Sequence, residues 1–267
     1  MMLWGGLVPL GYAAKGDLSP ADQNPAVESR PALSSASLPE SLKDLWGRAQ
    51  SGDAAAQLEL GGHFARGQAV SQDDAAAVDW INRAATQGDS QAQITLGVAY
   101  AEGRLGLKPD ANAALQWLRR AAEGGSLDAK ALLGHGLEKG ILGHQDLTEA
   151  VRWYRDAAGH GQAAAQIALG TLYAEGRGVS RSYREAVRWY RSAAERGDLE
   201  AQKRLGDLYS QGLGVPEDWV LAHLWFNLAA VEGDEESAQR RTTVAQRMSV
   251  SQLAEAQRLA REWRPAP

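Results

Sequence analysis

The side chains of this 267-residue chain from which a reaction centre could be built are five histidines, 33 acidic residues and a scatter of serines, and cysteine is absent. A metal seat on a helix needs two ligands about one turn apart on the same face. His63, His135, His144, His160 and His223 fall at different phases, with no His-Glu-x-x-His or His-x-x-x-His pair among them. The lack of cysteine removes thiolate zinc sites, iron-sulfur clusters, disulfides and cysteine nucleophiles. A β-lactam-reactive serine would stand in Ser-x-x-Lys with a Lys-Thr-Gly elsewhere, and the chain has neither. Gly176-Arg177-Gly178 and Gly212-Leu213-Gly214 look like phosphate-cradling turns, but a dinucleotide fingerprint needs a third glycine and a preceding strand, and here a helical pattern precedes. Glu235 and Glu236 are adjacent carboxylates in a polar connection, with no apolar surroundings to raise a pKa. The expectation is therefore a chain with no catalytic residues, no metal and no cofactor.

Composition narrows the partners. Hydrophobic residues make up 44% and charged residues 23%, as in an ordinary soluble protein rather than a disordered or multi-spanning chain. A formal net charge of -5 lacks the basic footprint that dominates nucleic-acid affinity, so nucleic acid is excluded as the main partner. Residues 3–14 form an uncharged apolar run of export-signal length, too short to span a bilayer, with no Lys or Arg before it. Residues 1–14 read as a truncated signal sequence, which places the protein in the periplasm or outside the cell, with the cytoplasm as the other compartment. Residues 15–40 carry Pro20, Pro25, Pro31 and Pro39 among five serines and read as a disordered linker.

Self-similarity then organises the rest. Gly61, Gly97, Gly134, Gly170 and Gly206 recur at spacings of 36, 37, 36 and 36, and Trp80, Trp117, Trp153, Trp189 and Trp225 follow in step. An alanine pair and a closing glycine complete each repeat, as in Ala193-Ala194 and Gly197. Within residues 162–197, Ala165, Leu169, Leu172 and Tyr173 recur at helical spacing, Gly176-Arg177-Gly178 interrupts, and Ala186, Trp189, Tyr190 and Ala193 resume it. Each repeat is thus a helical hairpin whose first helix stops at a glycine suited to the left-handed conformation. An interior glycine costs a helix about 1 kcal/mol relative to alanine, so five in register predict close approach of the partner helix. The five in-register tryptophans are expected in the core, and Trp219, out of register, on an exposed loop side.

The pattern Ala-Gln-x-x-Leu-Gly-x-x-Tyr-x-x-Gly-x-Gly-Val from Ala165 to Val179, followed by Ala-x-x-Trp-x-x-x-Ala-Ala-x-x-Gly from Ala186 to Gly197, strongly resembles the Sel1-like repeat. Five copies cover 53–88, 89–125, 126–161, 162–197 and 198–233. The third departs most, with Leu137 for the tyrosine and Ile141-Leu142-Gly143 for the turn. The resemblance implies an all-α fold, a right-handed α-solenoid related to tetratricopeptide arrays, whose members serve mainly as adaptors. A terminal hairpin has one uncovered face and needs a cap. Residues 41–52, with Leu42, Leu45 and Trp46, read as the N-terminal capping helix. In 234–267, Ser249 and Gln252 form a capping box ahead of a stripe of Leu253, Ala256, Leu259 and Trp263, and the segment reads as C-terminal capping helices.

By similarity to tetratricopeptide helices, the residue after each register glycine and those four and five after it should line the concave face. That row is small and apolar in the first two repeats and polar in the last three. His135, Glu138, Lys139, Thr171, Glu175, Asp207 and Gln211 are the expected partner-binding residues. The functional expectation is a non-enzymatic scaffold that holds a segment of another protein. Binding of a glycan or cell-wall polymer through exposed aromatics such as Trp219 is the alternative. A β-lactamase-type hydrolase, an activity linked with cysteine-rich relatives, ranks last. Oligomeric state is not written in the sequence.

Overall fold

The computed structural model describes residues 39–266. The apolar run at 3–14 and the Pro/Ser-rich stretch up to residue 38 lie outside the described residues. Among those described there are thirteen α-helices and no strand. No helix is long and apolar enough to cross a membrane.

Helix starts follow from local chemistry. The first helices of the repeats are α2 (Ala54–Arg66), α4 (Ser90–Glu102), α6 (Leu127–Lys139), α8 (Ala163–Glu175) and α10 (Leu199–Gln211); the second are α3 (Asp74–Thr86), α5 (Ala111–Glu123), α7 (Leu147–Gly159), α9 (Tyr183–Ala194) and α11 (Trp219–Val231). A flanking helix α1 (Glu40–Gln50) precedes them, and α12 (Glu235–Ala245) and α13 (Val250–Glu262) follow. Asp53, Asp89 and Asp198 each accept a backbone N–H of the first turn, and Asp73, Asp110, Asp146 and Asp218 do the same for the second helices. Such a cap contributes about 1 kcal/mol. Ser249 and Gln252 form the reciprocal capping box of α13.

The chain divides into two compact units, with the boundary between Ala129 and Lys130. In the N-terminal unit α2 packs on α3 and α4 on α5. Leu42, Leu45, Trp46 and Ala49 of α1 join Leu60, Phe64 and Trp80 in one core, and Trp46 meets Trp80 edge-on at 5.4 Å. In the C-terminal unit α8 packs on α9, α10 on α11, and α12 and α13 both cover α11. The chain end returns to α9, where the Ala266 N–H donates to the Glu195 carbonyl at 2.7 Å.

The register glycines are sites of close approach, as their helix cost predicts. A β-carbon at Gly97 would lie 2.7 Å from Leu118, and one at Gly170 would lie 2.8 Å from the Tyr190 ring. The side chain over the glycine is not the tryptophan. It is the following residue, namely Ile81, Leu118, Tyr154, Tyr190 and Phe226 in the five repeats, and all five are buried. Trp80 and Trp225 are buried, but Trp117, Trp153 and Trp189 are only half-buried, which corrects the expectation that all five are core. Adjacent positions on a helix differ by 100°, so one of the pair faces the hairpin partner while the other sits at the edge of that face. Arginine stacks on three of the tryptophans, Arg83 on Trp80 at 4.5 Å, Arg120 on Trp117 at 4.9 Å and Arg188 on Trp189 at 5.2 Å.

The glutamine of the repeat has a structural task. Gln57, Gln93, Gln166 and Gln202 are buried, and each donates from Nε2 to a carbonyl at the end of the preceding helix, at 3.0, 3.0, 3.0 and 3.2 Å. A buried amide without a partner would cost about 1–3 kcal/mol, so this bond makes the residue type specific. In the third repeat Lys130 holds the position and pairs with Asp156 at 2.9 Å. The departing turn of that repeat also has a packing reason, because Leu142 is buried directly over Gly136, whose β-carbon would lie 2.5 Å from it.

Candidate functional site

All seven residues expected to bind a partner fall in α6, α8 and α10 of the C-terminal unit, where the structure places six of them in or beside two clusters, leaves Thr171 in a separate pair, and spreads the seven from buried to exposed. The first cluster is centred on Glu138. Its side chain is buried with only 6% of the residue exposed, and it is fully engaged. Oε1 pairs with Lys139 Nζ and with Arg177 Nη1, both at 3.1 Å, and Oε2 accepts the Tyr154 hydroxyl at 3.0 Å. Arg177 bridges on to Glu175 at 3.2 Å, which brings Glu138, Lys139 and Glu175 together around one guanidinium. Burial pushes the Glu138 carboxyl up, but the hydrogen bonds and charges of Lys139, Tyr154 and Arg177 outweigh it and hold the group below the usual carboxylate range. His135, one turn earlier on α6, is buried too, and that burial keeps its imidazole below the usual range and neutral at neutral pH. Lys139 and Glu175 are exposed.

Thr171 is half-buried and belongs to a local pair, with its hydroxyl 2.9 Å from that of Tyr190 and donating to the Ile167 carbonyl at 3.0 Å. The row is therefore not uniformly available to a partner. Lys139, Glu175 and Gln211 are exposed, while His135 and Glu138 are interior groups that shape the surface from beneath.

The second cluster is a cleft of about 330 Å3 between α10, α11 and α12. Asp207, Ser210 and Gln211 form one wall, Arg240, Val244 and Arg247 the other, and Phe226 and Trp219 the floor. Asp207 is ion-paired with Arg240, which also binds Glu236 at 2.6 Å. Burial raises the Asp207 carboxyl above its ordinary value, opposed by Arg240 and Arg204. Trp219 is the first residue of α11, half-buried rather than on an open loop, and the Arg247 guanidinium lies 5.2 Å over its ring. The sequence reading did not single out Arg240 or Arg247. Their signal was weak, since the flanking helices lie outside the repeat register that located the other positions.

The Gly-x-Gly turns are structural. A β-carbon at Gly178 would lie 2.8 Å from Leu147, and one at Gly214 would lie 2.4 Å from the backbone of Tyr183, so these glycines admit the preceding second helix rather than a phosphate. Among the described residues no group of three or more His, Asp or Glu comes together in a way that would hold a metal ion.

The Sel1 repeat model matches residues 54–89, 90–126, 127–161, 163–198 and 199–234. No curated protein matches the chain. Among solved structures, c5321, a protective antigen present in uropathogenic Escherichia coli strains that displays an SLR fold, is 32% identical with a TM-score of 0.72 over 82% of this chain and 47% of its own. The chain thus spans about half the length of that antigen. A Sel1 repeat protein from Oxalobacter formigenes is 32% identical with a TM-score of 0.69, over 75% of this chain and 82% of its own. With five consecutive matches laid over five helical hairpins, the chain belongs to the Sel1 repeat family, whose proteins are typically non-catalytic and mediate protein–protein interaction.

Proposed function

We propose that this protein is a non-enzymatic adaptor that holds a segment of a partner protein along the first helices of its C-terminal unit, on the row that ends in the cleft between α10, α11 and α12. The observation that carries the reading is the cleft itself. It is concave, it joins an aromatic floor to charged walls, and it includes Asp207 and Gln211. A preordered surface of this kind avoids the entropy of ordering the receptor on binding. Lys139, Glu175 and Gln211 make the direct contacts in this reading, and Glu138 and His135 fix the shape of α6 beneath them. The concave face as the docking surface and an exported location remain parts of the same proposal.

The glycan alternative needs an open aromatic face, and the Trp219 ring is covered by Arg247. A photo-crosslinking residue at Gln211, with Val231 as an exposed control position on α11, tests the adaptor reading in cells. A partner protein captured from position 211 but not from 231, and lost in Trp219→Ala, is the expected result. Equal capture from both positions, or capture at 211 untouched by Trp219→Ala and Arg247→Glu, removes the cleft as the binding site.

A further inference from the structure

A second cavity, of about 460 Å3, lies at the start of the fourth repeat, bounded by the α7–α8 junction and the outer edge of α9. One lining position can be read in the repeat register. The position three residues after the tryptophan is Arg83 in the first repeat and Arg120 in the second, and each arginine stacks on its own tryptophan. In the fourth repeat the same position is Ser192, and both Ser192 and the edge of Trp189 line the cavity. A hydroxymethyl group thus stands where the first two repeats carry a long side chain and the third and fifth carry Asp156 and Leu228.

The lining is rich in donors. The Trp189 indole N–H is enclosed beneath the surface with no hydrogen-bond partner among the described residues, whereas the corresponding Trp153 N–H donates to Glu149 Oε1 at 3.1 Å. Ser192 Oγ accepts from Gln166 Nε2 at 2.9 Å, which leaves its own hydrogen to donate. Arg196 gives Nη2 to Gln166 Oε1 at 2.9 Å and Nε to the Ser192 carbonyl at 3.3 Å, and pairs with no carboxylate among the described residues. Arg188 lies over the Trp189 ring, with only Glu185 nearby at 3.7 Å on the exposed side of α9. His160, on the far wall, is held by the Asp156 carbonyl at 2.8 Å. Of the lining acceptors, Gln166 Oε1 is occupied by Arg196 and Ser192 Oγ by Gln166, and the lining side chains include no carboxylate.

We infer that this cavity is a carboxylate-recognition site, one that takes an aspartate or glutamate side chain from an acidic segment of a partner protein between Arg188, Arg196 and Ser192, beside the Trp189 ring. A planar anion offers four lone-pair directions to guanidinium forks and a hydroxyl, which is the complement of what lines the cavity. The site uses none of the residues of the α10–α12 cleft, so it stands or falls separately from the adaptor face proposed above.

The test is a titration of the full chain followed through the indole N–H resonances, with Trp189→Phe identifying the Trp189 signal. The probes are a blocked hexaglutamate peptide, its hexaglutamine counterpart and inorganic phosphate. Hexaglutamate should shift the Trp189 resonance saturably, hexaglutamine should leave it in place, and Arg196→Gln should weaken the hexaglutamate effect by about tenfold, the scale of one lost charge-assisted bond. Ser192→Arg, which restores the side chain of the first two repeats, should abolish it with the helical circular dichroism unchanged. Should that variant fail to fold, the wild-type titration still decides. A Trp189 resonance unmoved by hexaglutamate, an equal response to hexaglutamine, or saturation by phosphate at lower concentration than by hexaglutamate would each overturn the inference.

Discussion

The two units solve the same packing problem with different side chains. In the N-terminal unit the register glycines lie under Ile81 and Leu118, and the row next to them is mostly small and apolar, with Gly62, Ala65, Val98 and Ala101 beside the charged Arg66 and Glu102. In the C-terminal unit the slots hold Tyr154, Tyr190 and Phe226, and the row is polar. The two changes go together for a physical reason. A tyrosine that lies across a glycine carries its hydroxyl past the helix to the row beside it, where a buried hydroxyl needs a partner. Tyr154 finds Glu138 and Tyr190 finds Thr171. Phe226 has no hydroxyl, and there the row residue Asp207 turns instead to Arg240 of α12.

Charge separates the units as well. Residues 1–129 hold 10 basic and 15 acidic side chains, and residues 130–267 hold 18 of each. The open cavity of the N-terminal unit is accordingly walled by Asp73 and Asp74, while that of the fourth repeat presents two arginines.

The difference can be broken most forcefully at the glycines. Gly170→Ala pushes a methyl against the rigid Tyr190 ring, and the overpacking should cost about 2–3 kcal/mol in chemical denaturation. Gly97→Ala meets a leucine that can change rotamer and gains helix propensity, so its cost should stay below about 1.5 kcal/mol. Equal losses would mean that the identity of the slot side chain does not matter.

The hydroxyl link comes next in size. Tyr154→Phe removes a bond to a buried carboxylate and should destabilise by about 1.5–3 kcal/mol at pH 7, read from denaturant midpoints. The sign with pH follows from the depressed carboxyl of Glu138. Its ionised form is favoured in the folded state, so its contribution is fully present above the unfolded carboxylate pKa of about 4.3 and is lost as pH falls through the lower folded value. Wild type should therefore lose stability relative to Glu138→Gln below about pH 4, and a gap between them that widens on acidification would refute the assignment. The smallest effect belongs to the N-terminal unit. Ala69 and Leu105 adopt positive φ of 63° and 57° at positions equivalent to the second turn glycine of the later repeats. Ala69→Gly should raise the thermal midpoint slightly, with a gain of about 0.5–1 kcal/mol.

Much of this architecture was legible before any coordinates. A period of 36 residues, with glycine, tryptophan and alanine pairs in register, identifies helical hairpins because only a repeating contact demands repeating residue types. The ends of the first helices were equally readable, as was the start of α13, since αL glycines and a Ser-x-x-Gln capping box act within a few residues of themselves. The conspicuous tryptophans misled about the core because spacing marks a stripe some 100° wide but not which of two neighbouring aromatics faces the partner helix.

Sequence alone thus determined the class of fold, the number of hairpins and which rows could vary, for these depend on local conformational preference and on periodicity. Tertiary structure alone decided that Glu138 and His135 are interior, that Trp219 is roofed by Arg247, and that Ser192 lines a cavity beside an unpaired indole. Burial and pairing join residues 14 to 39 positions apart, as in Glu138 with Arg177 or Arg241 with Asn227. A carboxylate or an N–H acquires its chemical character from such distant neighbours, whose positions are set only when the helices pack.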